Sequence, residues 1–303
     1  MTSLRARMIN AVLRNQMKAK ELHLMDPGDL RRRVDRLAGI LPPPNGVSID
    51  TVEGQVAGEW HRPTDPCERH VYYLHGGGYV FGSPKTHRSI TFALAKQTPA
   101  NIFSLDYRLA PEHPFPAAVD DAVAGYRWLI GDQGVDPSAV MIAGDSAGGG
   151  LTMAMLLSCK AQGLPMPACA TLFSPWADLR NQSAAFEENA ETDVMFRPVH
   201  IQEGVHKYLN GASAENPLAS PVFGDHHELP PTLIFASNDE ILRDDSVLLN
   251  ERLLAAGVSS TLVAKDGLPH VWPVFTPFLP EAIDDVRRTI EFFRQHADIR
   301  AAA

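Results

Sequence analysis

The sequence predicts an α/β protein built on a mostly parallel, twisted sheet with helices on both faces. Two observations carry that prediction. From residue 70 onward, short apolar runs of strand length alternate with longer amphipathic runs of helix length, the pattern of repeated βα units. Within that alternation, Gly144-Asp145-Ser146-Ala147-Gly148 stands between an apolar run and a helical one, so a serine occupies the apex of a strand-to-helix turn. With 45% hydrophobic and 21% charged residues among 303, the chain has the composition of an ordinary globular protein, and one core with an insertion accounts for its length.

Residues 3–40 carry Leu, Met, Ile and Val at helical spacing and end at a stiff proline-rich break, 41–46, so they read as a helical arm. Residues 47–60 alternate apolar and polar around glycines, as an antiparallel hairpin at a sheet edge does. Strands follow at 70–74, 101–105, 139–143, 168–173, 232–236 and 260–264. Helices are expected at 86–97, 117–130, 151–159, 246–256 and 281–296. Between 175 and 221 the strand signal disappears while 199–209 looks helical, which marks an insertion over the strand ends.

The net charge of -9 argues against a general affinity for nucleic-acid phosphates or anionic lipid. Arg31-Arg32-Arg33 reads as a solvated helix face. Cys67, Cys159 and Cys169 cannot all pair and show no C-x-x-C spacing, and residues 1–20 lack the apolar core of a signal peptide. A cytoplasmic protein without a membrane anchor is the expectation. His226-His227 has no third ligand, and neither G-x-G-x-x-G nor G-K-[ST] occurs, so neither a metal nor a cofactor is implied.

Chemistry concentrates in three places. Ser146 is the candidate nucleophile. Upstream, His75-Gly76-Gly77-Gly78-Tyr79 follows a strand, and its bare N–H groups, with that of Ala147, suit an oxyanion hole formed by Gly76, Gly77, Gly78 and Ala147. A serine needs a base, and His270 lies in the loop between the last strand and the last helix, whereas His75 precedes the nucleophile and reads as a brace for the glycine loop. The acid belongs after strand 232–236, where residues 237–246 hold four carboxylates. Asp244 and Asp245 precede a helix expected from 246 and read as capping groups, leaving Asp239 and Glu240. Arg108 and Glu112, four apart, read as an ion pair. Tyr79, Trp176, Phe196, Trp272 and the helical arm are candidates to line an apolar pocket, each aromatic equally at home in the core.

Four separated motifs, His75-Gly76-Gly77-Gly78-Tyr79, Asp106-Tyr107-Arg108-Leu109-Ala110-Pro111-Glu112, Gly144 to Gly149 and Ser174-Pro175-Trp176, closely resemble the bacterial hormone-sensitive-lipase-like (family IV) esterases of the α/β-hydrolase fold. The resemblance runs from about residue 45 to the C-terminus. It implies a catalytic domain over 46–303, with a helical cap formed by an N-terminal arm, 1–45, and an insertion at about 178–215. It implies a serine carboxylesterase acting on short- to medium-chain acyl esters through an acyl-enzyme. The family's Asp-Pro-Leu-Arg-Asp superposes on Glu240-Ile241-Leu242-Arg243-Asp244, which puts Glu240 at the acid position, one methylene longer, with Asp239 as the alternative catalytic acid. The expected partner is a small-molecule acyl ester, with no nucleic acid; an exposed sheet-edge strand offers a homodimer contact. The same triad serves amidases and deacetylases. A catalytically silent small-molecule receptor on this scaffold would lack the base, and both Ser146 and His270 are present here.

Overall fold

The computed structural model describes residues 2–38, 42–65 and 67–297; residues 39–41, where the arm meets the proline break, lie outside the described residues. The arm is built of two helices. α1 (Leu4–Leu13) widens into a single π turn (Arg14–Lys18), the chain passes through a 3₁₀ turn (Leu22–Leu24), and α2 (Pro27–Ala38) opens on a proline whose missing N–H is harmless there. The hairpin follows as β1 (Val47–Val52) and β2 (Gly58–Pro63), with Val47 opposite Pro63 and Val52 opposite Gly58.

The alternation then runs β3 (His70–Leu74), α3 (Arg88–Gln97), β4 (Asn101–Leu105), α4 (Ala117–Ile130), β5 (Val140–Asp145), α5 (Ala147–Ala161) and β6 (Cys169–Phe173). It continues through α6 (Ala184–Glu188), α7 (Pro198–Leu209), β7 (Thr232–Ser237), α8 (Arg243–Ala255), β8 (Ser260–Lys265) and α9 (Pro280–His296). Two differences from the sequence reading matter. α8 begins three residues earlier than expected, and α6, at five residues, is too short to display a helical period.

The strands form one eight-stranded sheet in the order β1-β2-β4-β3-β5-β6-β7-β8. β1, β2 and β4 pair antiparallel, and from β4 through β8 all pairings are parallel. Because side chains alternate across a strand, neighbouring residues serve opposite faces. Tyr72, Leu74, Ile142 and Leu172 pack with α4, α5 and α8 on one side, through Tyr126, Leu151 and Leu249. Val71, Tyr73, Met141 and Phe235 pack with α3 and α9 on the other, through Ile90, Val286 and Phe293. Both faces are therefore apolar, which explains why the central strands read as continuous hydrophobic runs.

Two charge readings are corrected. Arg108 pairs with Asp121 at 2.7 Å, not with Glu112, because residues 106–112 are not helical and a spacing of four does not bring them together. Glu112 instead meets Arg31 at 2.8 Å, and Arg31 also donates to the carbonyls of Val80 and Ala110, so this arginine ties α2 down rather than solvating it. No described helix is long and apolar enough to cross a membrane.

Candidate active site

Ser146 lies immediately after β5 and immediately before α5, at φ 53° and ψ −121°, a region an L-residue occupies only at a cost of about 1–3 kcal/mol. Its neighbours hold it there through backbone alone. Its N–H donates to Phe173 O at 2.8 Å, while its carbonyl accepts from Gly149, Gly150 and Trp176. A Cβ on Gly148 would lie 2.0 Å from the carbonyl oxygen of Leu74, so only glycine lets α5 approach β3 this closely.

His270 sits beyond β8, and its Nδ1 meets Glu240 Oε2 at 2.5 Å, with both side chains 1% exposed. The other oxygen, Glu240 Oε1, accepts from Ser237 N at 3.0 Å. Burial works against the imidazolium, but the Glu240 charge and hydrogen bond outweigh it and raise the His270 pKa above its ordinary value near 6.5. The opposite ring nitrogen, Nε2, is buried without a hydrogen-bond partner among the described residues, and His270 and Ser146 line one cavity. Asp239, next to Glu240, turns elsewhere and accepts from the N–H of Gly267.

Sequence reading missed the residues that hold Glu240. Asn189 donates to the carbonyls of Glu240 and Asn238, at 2.8 and 2.9 Å. Asp193, 2% exposed, accepts from the N–H groups of Ile241, Met195 and Phe196. Lys18, at the end of the π turn, caps the same segment by donating to the carbonyls of Ala190, Glu191 and Asp193 at 2.7–2.9 Å. None of these residues sits in a motif. Asp244 and Asp245 do lie in the first turn of α8, where acidic groups suit the helix dipole, but the capping reading is corrected: their side chains bond the N–H groups of Ala185, Ala177 and Asp178, fastening residues 177–185 to α8.

The glycine loop is a tight reversal. Gly77 has φ +121° and a Cβ there would strike Phe81 O, while its carbonyl accepts from Val80 and Phe81. Gly77 and Gly78 line the cavity. Gly76 departs from the expected oxyanion role: its N–H already donates to Asp145 Oδ1 at 3.0 Å. Asp145 also accepts from Tyr73 OH and contacts His87 Nε2. Ala147 is the first residue of α5, where a helix leaves its N–H groups without intrahelical acceptors. His75 stacks on Tyr107 at 4.2 Å with Nδ1 against Gly76 O, and burial, reinforced by the His87 charge, pushes its pKa down to about 3, so it stays neutral.

The cavity, ≈ 270 Å³, is walled by Met17, Leu22, Met25 and Leu30 from the arm and by Trp176, Phe196 and Ile201 from the insertion and its approach. Phe196 meets the His270 ring edge to face at 5.2 Å. Tyr79 and Trp272 are core residues, the first stacked on Tyr208 at 3.7 Å and the second bonded to Asp285. No group of three or more His, Cys, Asp or Glu among the described residues is placed to hold a metal ion. Glu240 and His270, buried and hydrogen-bonded to each other, and a strained Ser146 that lines one apolar cavity with His270, Gly77 and Gly78, make an arrangement suited to attack on a carbonyl.

Residues 71–274 match the family model described as the alpha/beta hydrolase fold. The chain is 41% identical over 251 residues to an acetyl-hydrolase of Streptomyces hygroscopicus, covering 83% of this chain and 81% of that one. A crystal structure of EstE5 soaked with p-nitrophenyl butyrate superposes with a TM-score of 0.91 at 42% identity, covering 97% and 99% of the two chains. An esterase from the bacterial hormone-sensitive lipase family superposes at 0.91 with 36% identity, covering 98% and 100%. The chain belongs to the α/β-hydrolase family, within its bacterial hormone-sensitive-lipase-like branch.

Proposed function

We propose that this carboxylic-ester hydrolase works as a serine esterase on short- to medium-chain acyl esters, with Ser146 as nucleophile, His270 as base and Glu240 as the acid that orients it. Ser146 Oγ attacks the acyl carbonyl as His270 Nε2 takes its proton, and the imidazolium is stabilised by Glu240. The N–H groups of Gly77, Gly78 and Ala147 hold the oxyanion. His270 then protonates the departing alkoxide, leaving an acyl-enzyme, and a water deprotonated by the same nitrogen releases the acid and restores Ser146. The observation that carries the reading is the 2.5 Å contact from Glu240 to His270, whose free Nε2 borders the cavity that Ser146 also lines.

The cavity's size and apolar walls favour a modest acyl chain over a long one. Residues 1–45 and about 178–215 act as the cap that sets chain length, since Met17, Leu22 and Met25 from the first and Ile201 from the second form its walls. A p-nitrophenyl ester panel of increasing acyl length tests both points. Wild type is expected to peak at short to medium chains, and Ser146→Ala to lose roughly 10⁴-fold or more in turnover while remaining folded. No hydrolysis by wild type at any length would sink the proposal.

A further inference from the structure

Among the described residues, seven large apolar side chains stand in solvent, and four of them lie within the first 24 residues: Leu4 (73% exposed), Met8 (62%), Val12 (59%) and Leu24 (74%). The first three are spaced four apart, so they form one stripe along α1. The opposite side of the same helix buries Ala6 and Leu13 against the body of the protein. α1 is thus apolar on two faces, and its folding contacts use only one of them. Phe278, 58% exposed, continues the patch, because Arg5 of α1 donates to its carbonyl.

The flanks of the stripe are basic. At about 100° per residue, Arg5 falls on one border and Arg7 and Arg14 on the other. Residues 1–20 contain five cations, Arg5, Arg7, Arg14, Lys18 and Lys20, and no Asp or Glu, in a chain of net charge -9. Lys18 turns inward; the other four are exposed. Arg5 and Arg14 reach only backbone carbonyls, at 3.4 Å, and among the described residues none of the four makes a side-chain ion pair. An exposed apolar stripe bordered by unpaired cations is the pattern of a helix that lies in a lipid interface. The surrounding negative charge does not cancel it, since exposed charges are screened beyond about 10 Å at ordinary salt.

We infer that α1 docks reversibly, in plane, on an anionic lipid surface, with Leu4, Met8, Val12 and Phe278 entering the acyl boundary and Arg5, Arg7, Arg14 and Lys20 meeting phosphates. Chain continuity gives the docking a purpose. The next residues, Met17, Leu22 and Met25, wall the cavity above Ser146, so the cavity's edge comes to rest where apolar esters partition.

Co-sedimentation of the full chain with phosphatidylcholine vesicles, with and without phosphatidylglycerol, tests this independently of any turnover. Wild type is expected to bind the anionic vesicles, with binding weakened by salt. Affinity should fall by about tenfold or more for pure phosphatidylcholine, for Met8→Glu/Val12→Glu and for Arg5→Glu/Arg7→Glu. Circular dichroism keeps misfolded variants out of the comparison. Absence of wild-type binding, or equal binding by Met8→Glu/Val12→Glu, overturns the inference. So does a wild-type dimer in light scattering that the same pair of substitutions dissociates while vesicles capture nothing, which would mean that a second copy covers the stripe.

Discussion

Around Ser146 the structure is held by backbone: the residue's own N–H and carbonyl, the β5–α5 turn, and a helix pressed to within glycine distance of β3. Residues 2–38 are attached by side chains instead. Lys18 reaches three carbonyls, Arg31 binds two carbonyls and Glu112, Ser3 meets Glu281, and Arg197 of the insertion pairs with Glu21. Backbone constraint fails all at once when sterics are violated, whereas side-chain ties can be removed one at a time. The elbow is therefore expected to unfold with the core, and the arm, whose residues line the cavity, to open separately from it.

The largest effect that would break this comparison lies at Glu240, the proposed acid. Glu240→Gln is expected to lower kcat/KM by roughly 10²- to 10⁴-fold, while Asp239→Asn costs less than about tenfold. The reverse pattern would assign the acid to Asp239. The pH profile gives a second reading. In the proposed mechanism His270 is neutral when it accepts the serine proton, and its pKa is raised, so wild-type kcat/KM should climb through an inflection above 6.5; removing the Glu240 charge should move that inflection down.

Next comes the backbone constraint itself. Gly148→Ala forces a Cβ onto Leu74 O and should destabilise the whole fold by about 3 kcal/mol or more in urea unfolding. A loss confined to activity, with unchanged unfolding, would show that the elbow yields more easily than its contacts suggest. Lys18→Met removes three charge-assisted bonds, the one to Asp193 buried and the other two part-buried, a local cost of about 2 kcal/mol. Hydrogen exchange should rise in residues 2–38 and 189–193 with the sheet unaffected; loss of sheet protection would merge arm and core into one unit. Smallest is Arg197→Ala, whose partly exposed pair with Glu21 should matter by less than about 1 kcal/mol in the same exchange experiment.

The sequence reading succeeded where the determinants are local. Strand alternation at β3 to β8 and the glycine-flanked serine were visible because backbone geometry restricts which residues fit them. It erred where partners are distant or the element is short. Arg108 and Glu112 were paired on their spacing of four, whereas each meets a distant partner, Asp121 and Arg31, and α6 escaped notice. Gly76 was grouped with Gly77 and Gly78 because three glycines look alike until Asp145, 69 residues later, claims the first N–H.

By itself the sequence determined the layered α/β core, the strained serine and the neighbourhood of its partners, since each follows from periodicity, glycine sterics and chain order. Only the tertiary structure decided which of two adjacent carboxylates meets His270. Glu240 and Asp239 differ by one position, and the course of the chain after β7 sends one inward to the imidazole and the other to Gly267. That course is itself held by Asn189 and Asp193, and their segment in turn by Lys18, which bonds the carbonyls of Ala190, Glu191 and Asp193, 172 to 175 residues away in the chain. Side-chain direction depends on packing between segments that carry no mark of one another in the sequence.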